Sequence, residues 1–128
     1  MEESEVKLVV EEINNYIQKE LWFDFSVQQY THDKLIITGG LSRSYPPMIE
    51  LYFNEVFFIL LHTDWNTDTS KTILTLLEGE EARTINLMFR VEIGNHLFRF
   101  TPEDCQNDFG CLVVARKISY KINELYTQ

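Results

Sequence analysis

Residues 4–27 read SEVKLVVEEINNYIQKELWFDFSV, and the change of hydrophobic period inside that stretch decides the fold. Val6, Val9, Val10, Ile13, Tyr16, Ile17 and Leu21 recur every three or four residues. That spacing stacks side chains along one stripe of an α-helix. Ser4 is the expected N-cap, and the glutamates of the first turn suit the positive end of the helix dipole. From Phe23 the period is two: Phe23, Phe25 and Val27 alternate with Asp24, Ser26 and Gln28, as in a half-buried strand. A helix over about 4–20 followed by a sheet over about 22–122 is predicted. The fold class is α+β, an N-terminal amphipathic helix packed on a mostly antiparallel, strongly twisted sheet.

The remaining segments extend that sheet. Lys34 to Thr38 reads as a strand closed by Gly39-Gly40, after a turn at Thr31-His32-Asp33. Met48 to Phe53 alternates, and Asn54-Glu55 is expected to reverse the chain. Val56 to His62 is apolar on both faces, the pattern of a central strand covered on both sides. Thr72 to Leu77 fits a short helix or a strand, with its β-branched residues favouring the strand. Glu78 to Glu81 reads as an acidic turn. Arg83 to Ile93 reads as a strand, with Ile85, Leu87, Phe89, Val91 and Ile93 in phase. Gly94-Asn95 turns the chain into His96 to Phe100. Gly110 to Ile122 closes the sheet, with Leu112, Val114, Ile118, Tyr120 and Ile122 in phase.

A chain of 128 residues fits a single domain, residues 1–128. Its formal net charge of −9, with 20 acidic residues against 11 basic ones, opposes binding to nucleic acid or to an anionic membrane. A basic protein would instead be attracted. The longest apolar run, Val56 to Leu61, is far short of the ~20 residues of a membrane helix. The acidic start Met1-Glu2-Glu3-Ser4-Glu5 is unlike the basic opening of a signal peptide. A cytoplasmic location is expected. Cys105 and Cys111 lack zinc-site spacing and are expected as reduced thiols.

No catalytic constellation stands out, and neither a cofactor nor a metal site is expected. His62 and Asp64, at alternate positions, could share one face and line a pocket between helix and curved sheet. That pattern keeps a small-molecule binder or enzyme as an alternative, beside a homodimeric structural domain. Cys105 follows Glu103-Asp104, which would raise rather than lower its pKa. A more informative feature is Trp65 within the polar stretch His62 to Asp68. A tryptophan there is either an interface anchor or a plug for one end of the sheet. Tyr45, between Ser44 and Pro46, raises the same choice. Asp64, Asp68, Glu78, Glu80 and Glu81 are the expected acidic rim around these anchors.

Four tracts carry a family resemblance: Trp22 to Val27, Ile49 to Val56, Gly94 to Phe100 and Gly110 to Ile118. Together they resemble small bacterial immunity-type proteins of polymorphic-toxin systems and related uncharacterised bacterial domains. Many such sequences open the first tract with Phe-His-Asp, whereas this chain has Phe23-Asp24-Phe25. The resemblance implies a non-enzymatic domain that neutralises a cognate toxin by occlusion. It assigns no binding residue, because these families diversify the surface that faces the toxin.

Overall fold

The computed structural model describes residues 1–42, 46–103 and 111–123. Helix α1 spans Glu3–Ile17, and the strands are β1 (Phe23–Thr31), β2 (Lys34–Gly40), β3 (Ile49–Leu60), β4 (Asp64–Thr67), β5 (Leu74–Leu76), β6 (His96–Phe100) and β7 (Cys111–Ile122). A second helix, α2, occupies Gly79–Phe89. All strands join one antiparallel sheet in the order β4-β1-β2-β3-β7-β6-β5. The α+β class and the N-terminal helix are as expected.

The connection between the two edge strands forces this sheet to curl. Laid flat, six strand spacings would hold β4 and β5 about 29 Å apart. The seven Cα steps from Thr67 to Leu74 reach at most about 25 Å. The sheet therefore bends until residues far apart in strand order touch. Phe25 of β1 and Phe100 of β6 lie 5.6 Å apart between ring centroids, and Trp65 of β4 lies 5.2 Å from Phe100. Phe53 meets Phe98 at 5.1 Å in the same interior. The Glu103 N–H also donates to the Asn66 carbonyl at 2.8 Å, tying the chain beyond β6 to β4.

Val6, Val10, Ile13 and Ile17 of α1 cover this concave face, at the three- and four-residue spacing of a single stripe. The helix begins one residue before Ser4. Glu2 is its N-cap, and the Glu5 carboxylate accepts from the Glu2 N–H at 3.4 Å. It also ends at Ile17, so Leu21 falls outside the stripe and is exposed. The loop before β5 then pins the end of α1: Thr69 donates to the Glu20 carbonyl at 2.6 Å, and Gln18 to the Lys71 carbonyl at 3.0 Å.

Three expectations are corrected. First, Glu78 to Glu81 is not a free turn and Arg83 to Ile93 is not a strand; both regions contribute to α2 and the turn after it. Ala82, Ile85 and Phe89 pack on the convex face of the sheet with Leu77, Leu97, Leu112, Val114 and Phe58. Glu80 and Glu81 occupy the first turn of the helix, where negative charge is favoured. Ile93, expected inside, is 97% exposed.

Second, Asn54-Glu55 does not reverse the chain. β3 runs straight through it with a bend, Glu55 taking a left-handed φ of 55°. The Val56 N–H donates to the Asp33 carbonyl of the β1–β2 turn at 2.9 Å, and Glu55 pairs with Lys117 of β7 at 3.0 Å. The phase of β7 shifts beside this bend. Leu112 and Val114 face α2, whereas Ile118, Tyr120 and Ile122 belong with the α1 side.

Third, the strand buried on both faces is β7 rather than Val56 to His62. Cys111 to Ala115 is continuously buried because β7 lies between β3 and β6, under α1 on one side and α2 on the other. Phe57 and Leu60 of β3 remain exposed.

Candidate protein-docking site

The phase of β1 sets which side chains of this corner reach solvent. Phe23 and Phe25 point inward, so Trp22, Asp24 and Ser26 point outward. β4 pairs with β1 through Phe23↔Thr67, Asp24↔Asn66, Phe25↔Trp65 and Ser26↔Asp64. Residues opposite one another in a sheet share a face, so Trp65 and Thr67 are interior while Asp64 and Asn66 are outward. Continuing the register by one position sets Asp68 across from Trp22.

Of the two roles open to Trp65, anchor or plug, it takes the second. Trp65 is 4% exposed, 5.5 Å from Phe25 in a stacked arrangement and 5.2 Å from Phe100. It plugs the aromatic interior and offers no surface to a partner. Among the described residues, its Nε1 and the neighbouring Thr67 Oγ1 have no hydrogen-bond partner. The exposed tryptophan is Trp22, at 51%, flanked by Leu21 at 86% and by the partly exposed Leu41. The Trp22 Nε1–H donates to the Leu41 carbonyl at 2.8 Å. That bond satisfies the only polar atom of the indole and leaves its ring as a positioned apolar surface. Strand phase was the signal for it: a residue directly before inward-facing Phe23 must face out.

Asp64 and Asp68 do share a surface with a tryptophan, joined by Asp24, but that tryptophan is Trp22. Asp68 accepts from the Ser70 hydroxyl at 2.6 Å and from the Ser70 N–H at 3.0 Å. These bonds lower its carboxyl pKa below the ordinary 3.8. The charge is thus held in a fixed orientation at the rim.

Glu78, Glu80 and Glu81 lie elsewhere, beyond β5 at the start of α2. Each meets a base of this chain: Glu78 with Lys7 at 2.8 Å, Glu81 with Arg99 at 3.0 Å, and Glu80 with Arg83 at 3.9 Å. Lys7 hydrogen-bonds Glu78 and lowers that carboxyl, while its own pKa is raised. This cluster is a set of internal pairs and does not extend the rim around Trp22. Tyr45 and Cys105 lie outside the described residues.

His62 and Asp64 are both exposed. Neither lines the groove found between α1 and β5, whose walls are Lys7, Val10, Glu11, Asn14, Thr72 and Leu76 with their neighbours. His96, beside its turn, sits 2.9 Å from the Met1 carbonyl, and His32 forms the β1–β2 turn with Asp33, both at positive φ. Among the described residues no helix is long and apolar enough to cross a membrane. No protein-family model, curated protein or solved structure matches the chain, so the reading of this surface stands on its geometry.

Proposed function

We propose that this chain is a protein-binding domain that docks a basic partner on the outer face of β1 and β4. Its specific form is an immunity-type protein that occludes a cognate toxin. The observation that carries the reading is Trp22, a half-exposed indole whose N–H is already bonded to Leu41. A rigid aromatic anchor with its polar atom satisfied presents apolar area at little entropic cost, the property of interface hot spots. Asp24, Asp64 and Asp68 on the same face supply a negative rim that steers a basic surface and speeds its approach. The net charge of −9 acts in the same sense at longer range.

The test is protection of cells that express the product of a neighbouring gene as the candidate toxin. The native chain and Trp65→Phe are expected to protect. Trp22→Ala, folded by circular dichroism, is expected to lose protection along with binding of the purified toxin. Full protection by a folded triple variant, Trp22→Ala with Asp24→Asn and Asp64→Asn, would overturn the proposed surface.

A further inference from the structure

Helix α1 already treats the outer edge of β5 as part of a hydrogen-bonded ladder. Within the sheet, the Ile73 carbonyl and the Leu77 N–H turn toward the β6 side: Thr101 N–H donates to the Ile73 carbonyl at 3.1 Å, and Leu77 N–H to the Leu97 carbonyl at 2.9 Å. Backbone groups of an antiparallel strand alternate in direction, so Leu74 and Leu76 point theirs outward. At Leu74 the Asn14 carboxamide takes the place of a neighbouring strand. Its Oδ1 accepts from the Leu74 N–H at 3.0 Å and from the Ile73 N–H at 3.3 Å, and its Nδ2 donates to the Leu74 carbonyl at 2.8 Å.

Two residues further along, Leu76 presents the same outward donor and acceptor, and among the described residues nothing bonds to either. Leu76 lines an open groove of about 320 Å³ between α1 and β5. Val10 adds apolar wall, while Lys7, Glu11 and Glu78 carry the charge. With Lys7 spent on Glu78, the three sum to one net negative charge, that of Glu11.

We propose that this groove binds an extended peptide segment with basic side chains, which pairs its backbone with Leu76 as a short added strand. Three features select that ligand. A coplanar N–H and C=O on a strand edge match a peptide unit. Asn14 shows that this edge accepts an amide at the equivalent position two residues earlier. The residual negative charge favours a cation beside the apolar contact. The site lies on the α1–β5 side of the molecule and does not depend on the Trp22 surface.

The experiment is an NMR titration of the ¹⁵N-labelled full chain with acetyl-Arg-Val-Arg-amide. Shift changes are expected to centre on Leu76, Val10, Asn15 and Thr72, with exchange of the Leu76 amide proton slowed about tenfold near saturation. Two control peptides separate backbone pairing from charge: one N-methylated at valine, the other with glutamate in place of both arginines. Each is expected to bind at least about tenfold more weakly, the equivalent of roughly one lost hydrogen bond or charge contact. Leu76→Pro removes the donor at a position where an edge strand tolerates proline, and should weaken binding similarly. If that variant does not fold, the N-methyl comparison on the native chain decides. Equal binding of the N-methylated peptide, shifts centred elsewhere, or no binding at all would overturn the proposal.

Discussion

Trp22 and Trp65 occupy one corner of the molecule on adjoining segments and have opposite fates. Trp65 is buried with an indole N–H that has no partner among the described residues, whereas Trp22 is half exposed with its N–H bonded to Leu41. Burying an unsatisfied donor costs about 1–3 kcal/mol. The packing of Trp65 against Phe25 and Phe100 must offset that cost. Trp22 contributes little burial, so its ordered indole is available to another molecule. Local polarity does not separate the two: Trp65 sits among Asp and Asn, and Trp22 precedes the apolar Phe23. The difference is strand phase, set by pairing between β1 and β4.

The largest test of this contrast is truncation of the inner ring. Trp65→Ala is expected to lose about 3–5 kcal/mol in urea unfolding, as for other buried aromatic truncations. Trp65→Phe should cost less than about 1.5 kcal/mol, because it removes the unpaired donor together with part of the ring. A loss for Trp65→Phe as large as that for Trp65→Ala would mean that the indole N–H has a partner. Acrylamide quenching of the two single-tryptophan variants should reach Trp22 and spare Trp65.

Gly39 tests the same interior from β2. A Cβ there would lie 2.6 Å from the Phe23 ring and 2.9 Å from the Phe25 ring. Gly39→Ala should therefore destabilise by about 1–3 kcal/mol through overpacking, read from the urea midpoint. Unchanged stability would show the aromatic cluster to be looser than these distances imply.

A smaller effect is expected from the surface carboxylates. The carboxyl of Asp68 is lowered by its bonds from Ser70, and those of Glu55 and Glu78 by Lys117 and Lys7. A depressed folded pKa stabilises above the ordinary value and loses that stabilisation as pH falls through the folded one. Urea midpoints should thus fall below about pH 4, and Ser70→Ala should raise the Asp68 carboxyl toward 3.8 in a side-chain NMR titration. An Asp68 titration unmoved by Ser70→Ala would remove the fixed rim charge. The smallest expected change is the stability of Trp22→Ala, within about 0.5 kcal/mol of the native chain by the same urea measurement. A loss comparable to that of Trp65→Ala would make Trp22 structural and overturn the proposed docking surface.

The helix and the strand phase at residues 4–27 were legible because many side chains vote for one period. The stretch Arg83 to Ile93 was not. Ile85 and Phe89 are four residues apart, a spacing common to helix and strand, so they do not discriminate. Leu87, which weighed for a strand, is 71% exposed on the outer side of α2. Ala82, which completes the true stripe with Ile85 and Phe89, is too small to register as a hydrophobic beat. β3 was misread for a different reason. Asn54-Glu55 looks like a turn, and Glu55 does adopt a turn-like φ, but hydrogen bonding to β7 carries the strand through it.

Of the residues singled out from sequence, Asp64 is exposed and Asp68 half-buried, while Trp65, open between anchor and plug, is the plug. The groove at Leu76 was invisible, since its donor and acceptor belong to the backbone. Periodicity, charge and composition thus determined the class, the first helix and its inner stripe, and the acidity. These follow from contacts between near neighbours or from simple sums over the chain. Only the tertiary structure decided which tryptophan is inside, which strand is covered on both faces, and where an edge stays open. Those outcomes depend on pairing between segments tens of residues apart, and a one-residue change of register would reverse each inward and outward choice.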